Sequence, residues 1–189
     1  MQYKNYGKVT GFPFKFHIEL TYTLSKHGIT LAIKVKNKGK KTFPFTLGWH
    51  PYFYSTDLDK SAINFKSDKK YTFDNKQIIS GTTDLNVDMP FKLKDLKLDD
   101  GYQLETNEID FSTPEYDFNL RSTSKENFLQ LYTPDQLNTI AIEPMTGAAD
   151  NFNNNIGLQT LHPKDTYIVR WYMAIETLNT NQLIHKLCN

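Results

Sequence analysis

Apolar and polar residues alternate along three stretches of this chain, most cleanly in the first. In residues 14–24, Phe14, Phe16, Ile18, Leu20, Tyr22 and Leu24 fall on one side. Lys15, His17, Glu19, Thr21 and Thr23 fall on the other. A two-residue period is that of a half-buried β-strand. Ser25-Lys26-His27-Gly28 makes a turn in which Gly28 is free to take positive φ. Alternation resumes over residues 29–36 with Ile29, Leu31, Ile33 and Val35, so the two stretches predict a long antiparallel hairpin. Asn37-Lys38-Gly39-Lys40 is the next turn. The third stretch is 166–176, where Tyr167, Val169, Trp171, Met173 and Ile175 share a face.

Shorter patterns fill the interval. Residues 42–50 predict a third strand, with Phe43, Phe45 and Leu47 on one face and Thr42, Pro44, Thr46, Gly48 and His50 on the other. Parity puts His50 away from the main core, beside the small residues Thr46 and Gly48. Pro44 and Pro51 mark an edge or irregular position, and Pro51 holds His50 extended. Further strands are expected at 62–65, 70–73, 88–91, 117–121, 127–132 and 138–143. In the last, Ile140 and Ile142 face the core, and Glu143 has the opposite parity, beside Ala141 and Thr139. Residues 80–84 and 147–165 read as loops, and residues 182–186 as a short helix. Many short strands separated by turn signals predict an all-β fold, an antiparallel β-sandwich, as one domain over 1–189.

Composition narrows the options. Hydrophobic residues are 39% and aromatics 14%, enough for a real core and rich in strand formers. The formal charge is +1, which argues against nucleic acid as the main partner, since phosphate binding needs a concentrated positive face. No apolar run is long enough to span a bilayer, so no membrane partner is expected. The single cysteine, Cys188, suits a reducing compartment, and the absence of a basic segment before an apolar run leaves a cytoplasmic location as the default. The five histidines are scattered and none is paired at ligand spacing, so no metal site is expected. There is no Gly-rich phosphate loop.

Two pieces share a design. Gly48-Trp49-His50-Pro51-Tyr52-Phe53 and Ile142-Glu143-Pro144-Met145-Thr146-Gly147 each place one ionisable residue at a strand end just before a proline. On the residues alone, His50 reads either as a strand-end histidine satisfied by a backbone carbonyl or as a general acid or base. Glu143 reads as an exposed strand-end carboxylate, yet Glu is disfavoured in strands, and its small neighbours suggest a ligand's approach. Asp99 and Asp100, before Gly101, read first as turn chemistry. Trp49, Tyr52 and Phe53 are core candidates, of which one is expected to be wet if the site takes a sugar ring.

These residues carry a resemblance. Phe12-Pro13-Phe14 opening the hairpin, Phe43-Pro44-Phe45 leading into Gly48-Trp49-His50-Pro51-Tyr52-Phe53, Leu98-Asp99-Asp100-Gly101-Tyr102, and Ile142-Glu143-Pro144-Met145-Thr146 resemble the aldose 1-epimerase (galactose mutarotase) family in order and spacing, over residues 11 to 176. The His-Pro-Tyr-Phe and Glu-Pro-Met-Thr pieces are specific together; either alone is weak. The resemblance implies a β-supersandwich whose open face holds a hexose. It implies His50 as the acid that protonates the ring oxygen and Glu143 as the base for the anomeric hydroxyl. Asp99 would hold a sugar hydroxyl, with Asp100 the alternative, and Trp49 and Tyr52 would contact the sugar. It implies no cofactor. Family chains carry a segment ahead of the part matching residue 11, with an arginine and a second histidine. No arginine here precedes Arg121. The expectation is therefore a family member shortened by its N-terminal third, whose open sheet edges favour self-association. A sugar-binding sandwich without turnover, or a hexose-6-phosphate epimerase-like protein, are the alternatives.

Overall fold

The computed structural model describes residues 1–76 and 78–177, and the helix expected over 182–186, like Cys188, lies outside them. In chain order the strands are β1 (Gln2–Tyr6), β2 (Lys15–Ser25), β3 (Gly28–Asn37), β4 (Phe43–Phe45), β5 (Tyr52–Tyr54), β6 (Ala62–Phe65), β7 (Lys69–Phe73) and β8 (Ile79–Asp84). They continue with β9 (Phe91–Lys92), β10 (Asp99–Leu104), β11 (Glu108–Ser112), β12 (Tyr116–Ser122), β13 (Asn127–Tyr132) and β14 (Thr139–Met145). One helical turn, α1 (Asn151–Asn154), precedes β15 (Gln159–Leu161) and β16 (Thr166–Thr177).

All pairings are antiparallel. One sheet runs β1-β2-β3-β16-β12-β11-β6-β9, a second runs β5-β14-β13-β10-β7-β8, and β15 pairs with β4 alone. The alternating residues of the sequence supply the interior. Leu31, Ile33, Val169, Trp171 and Leu120 of the eight-stranded sheet belong to one buried cluster with Leu129, Leu131, Ile140 and Ile142 of the six-stranded sheet. The fold is the antiparallel β-sandwich expected. The β2–β3 hairpin forms as read, and β6 and β13 keep the expected boundaries. Along β2 the inner stripe is progressively uncovered, until Tyr22 is 52% and Leu24 81% exposed.

Several local expectations are overturned. Residues 80–84 are strand β8, because Thr82 and Thr83 pair with Tyr71 and Lys70 across a hairpin, and Asp74 Oδ1 in the connecting turn accepts from the amides of Lys76 and Ile78. Asp99 and Asp100 are no turn but the start of β10. Gly101 serves close packing there: a Cβ would sit 3.0 Å from Gln130 Oε1 and 3.3 Å from the rings of Phe73 and Tyr71. The strand expected over 42–50 divides into β4, held by β15, and a separate stretch beside β14. The strand expected at 88–91 shrinks to β9. The loop expected at 147–165 contains α1 and β15, while β11 is not among the expected strands although Ile109 and Phe111 alternate with polar residues in it.

Candidate active site

The site lies on the outer face of the six-stranded sheet, away from the sandwich core. Its frame is the register between residues 47–54 and β14. Gly48 bridges Met145, while Tyr52 and Tyr54 pair with Ala141 and Thr139. The register is continuous, so His50 falls opposite Glu143. Backbone bonds hold it: Thr146 N donates to Leu47 O at 2.9 Å, Trp49 N to Pro144 O at 3.1 Å, and Ile142 N to Pro51 O at 3.4 Å. The Thr146 hydroxyl accepts from Leu47 N at 3.0 Å. Pro144 is tolerated inside a sheet because its nitrogen points, with its carbonyl, toward this irregular segment rather than toward β13.

His50 Nε2 stands 3.1 Å from Glu143 Oε1. The imidazole is open, with its side chain 52% exposed; the carboxylate is sunk, at 13%. Tyr52 stacks on the imidazole, with centroids 4.9 Å apart and planes at 29°. Burial pushes the Glu143 pKa above the ordinary glutamate value; the charge of His50 pulls it back, and the nearby charge of Asp99 pushes it up again.

The next strands extend the row. Gln130 pairs with Glu143 on one side and Gly101 on the other, so the three share the outer face. Gln130 Nε2 donates to Asp99 Oδ1 at 2.8 Å. Asp100 has the opposite parity and joins another group, with Lys70 Nζ 3.1 Å from Oδ1 and the Tyr102 hydroxyl 3.5 Å from Oδ2. Beside this row Tyr71, Phe128 and Ala148 form a small apolar cluster with Phe73, Met145 and Ile156.

His50, Glu143, Asp99 and Tyr52 therefore meet on one surface. Trp49 does not join them: it is turned to the other face, packs on the main core, and meets Tyr22 edge-on at 6.4 Å. Phe53 likewise packs inward, 4.6 Å from Phe118. Gln130 was missed by sequence reasoning, as were the rings of Tyr71 and Phe128. The available signal was parity, since Gln130 alternates with the buried Leu129 and Leu131. Among the described residues no group of three or more His, Cys, Asp or Glu side chains is placed to hold a metal ion.

An antiparallel sandwich carrying an imidazole–carboxylate pair on an exposed sheet face defines the class, and sequence comparison gives the family. The aldose 1-epimerase family model matches residues 1–171, and the chain belongs to that family. It is 26% identical over 165 residues to the uncharacterized protein YihR of Escherichia coli K12, a match that covers 80% of this chain and 53% of YihR. A putative aldose 1-epimerase from the same organism superposes with a TM-score of 0.79 at 17% identity, covering 94% of this chain and 64% of that one. A galactose mutarotase-like protein from Clostridium acetobutylicum gives 0.81 at 14% identity, covering 94% and 62%. The chain thus spans about half the length of the curated relative and under two thirds of these structures.

Proposed function

We propose that the chain interconverts the α and β anomers of an aldohexose by acid–base ring opening and closure. The contact between His50 Nε2 and Glu143 Oε1 carries the reading. The ring oxygen and the anomeric hydroxyl are both bonded to C1, so an acid for one and a base for the other must be near neighbours. Glu143 takes the proton of the anomeric hydroxyl while protonated His50 delivers one to the ring oxygen. The C1–ring oxygen bond breaks and the C1 carbonyl forms. Rotation about C1–C2 presents the other carbonyl face, and the reverse transfers close the ring and restore both groups. No net redox change occurs, so no cofactor is called for. Asp99, fixed by Gln130, is the acceptor for a sugar hydroxyl, and Tyr52 is the exposed ring beside the acid.

The raised pKa of Glu143 supports the base role, since a carboxylate pushed toward neutrality has a stronger drive to take a proton. Polarimetry on freshly dissolved α-D-glucose and α-D-galactose is the test. The protein is expected to speed the approach to equilibrium rotation, with Glu143→Gln and His50→Ala each slowed by about 10²–10⁴-fold. Sugar binding in calorimetry without any acceleration would instead make the chain a carbohydrate-binding sandwich.

A further inference from the structure

The near-neutral total charge conceals a division. The first 50 residues carry nine lysines and one acidic residue, Glu19, whereas the remaining 139 carry thirteen basic and twenty acidic residues. The fold gathers four of the nine lysines on one surface, the outer face of β1, β2 and β3. Lys4, His17 and Lys36 lie directly opposite one another across the three strands. Lys15 and Lys34 flank that row on the same face. Across the strands Lys4 and Lys36 each lie opposite His17 and Lys34 lies opposite Glu19, so Glu19 is the one carboxylate that these three strands set among four lysines. Among the described residues, Lys and Arg ion pairs involve Lys60, Lys66, Lys70, Lys97 and Arg121, and none of the nine lysines. Glu19 is engaged by Gln2 Nε2 at 2.9 Å, and His17 Nε2 is buried without a hydrogen-bond partner.

We propose that this face docks the protein peripherally on an anionic lipid bilayer. The surface belongs to three adjacent strands of one continuous sheet, which present their lysines side by side. Its cations are lysines, which act as point charges on apolar stems, and not the arginine forks that read phosphates individually. Exposed apolar and aromatic side chains stand among them: Tyr6 opposite Lys15 is 68% exposed, and Ile168 opposite Lys34 is 43% exposed. That mixture matches a headgroup layer, where lysine heads meet lipid charge and the apolar parts sit at its boundary. No helix among the described residues is long and apolar enough to cross a membrane. The His50–Glu143 face is on the opposite side of the sandwich and stays open to solvent when the lysine face is engaged.

Vesicle flotation tests the proposal with the whole chain. Vesicles of phosphatidylcholine alone are compared with vesicles containing about 30% phosphatidylserine, at low salt and at about 0.5 M salt. Binding is expected only to the anionic vesicles and only at low salt. Lys4→Glu with Lys36→Glu should weaken it about tenfold or more. Lys76→Glu with Lys94→Glu, the same change in net charge on exposed residues elsewhere, should leave it unchanged. If the reversal variant does not fold by circular dichroism, Lys4→Gln with Lys34→Gln replaces it with the same direction expected. Equal losses in both pairs, or no binding to anionic vesicles, would overturn the proposal. So would tighter binding to a single-stranded oligonucleotide than to the vesicles at the same salt, which would reassign the face to nucleic acid.

Discussion

At the scale of the residue, Glu143 is the group whose surroundings bear most directly on chemistry. Its side chain is 13% exposed while its partner His50 is 52% exposed, so the carboxylate carries the desolvation and the imidazole remains reachable. Burial, followed by the charge of His50 acting the other way and that of Asp99, leaves its pKa above the ordinary value. As the proposed base, Glu143 must be ionised to act. The rate is therefore expected to fall as pH drops through a value higher than the usual glutamate range of about 4.3. In Asp99→Asn that limb should move to lower pH, because a charge that disfavours ionisation is gone. A pH–rate profile of both proteins checks this. The sign for stability is opposite. A folded pKa above the unfolded one gives stability that is present at low pH and lost as pH rises through the folded value. Thermal melts at neutral pH should accordingly show Glu143→Gln no less stable than the parent.

At the scale of the element, β10 decides between two adjacent aspartates. A strand sends successive side chains to opposite faces, so Asp99 meets Gln130 on the site face while Asp100 meets Lys70 and Tyr102 on the other. Asp99→Asn is expected to raise the KM for sugar about ten- to a hundredfold, the loss of a hydrogen bond to a charged acceptor. Asp100→Asn should leave KM unchanged and lower stability by about 1 kcal/mol or less, as for a partly exposed ion pair. Steady-state polarimetry and denaturant melts of the two variants separate these outcomes. The same element shows why Asp-Asp-Gly misleads. Gly101 is needed because Gln130 and two aromatic rings press on the strand, a tertiary demand that reads in one dimension as a turn.

At the scale of the molecule, the two sheets are unequal, eight strands against six, and the inner stripe of β2 is not fully covered. Tyr22 and Leu24 continue the stripe of Phe16, Ile18 and Leu20 into solvent. β5 is an edge strand next to His50, with Tyr52 and Tyr54 more than half exposed. Open edges and uncovered apolar surface favour association. Light scattering after size exclusion is expected to show mass rising with concentration, and Tyr22→Ser with Leu24→Ser should suppress the rise. A clean monomer at high concentration would rule this out.

The sequence by itself determined the fold class, because alternation with period two leaves β-strands as the only way to segregate Phe16, Ile18 and Leu31 from their polar neighbours. It also determined which faces His50 and Glu143 take, since parity is a local property of a strand. It determined the family, through motifs that the match over residues 1–171 bears out. The tertiary structure alone decided what depends on register between distant segments. Nothing local reveals that Gly48 lies against Met145, yet that pairing is what sets His50 3.1 Å from Glu143. Gln130 acquires a role only through its place between β10 and β14. Thr82 and Thr83 became a strand only when β7 offered its edge. The lysines of the first strands were visible as counts, but their concentration on one face follows from which strands pair side by side.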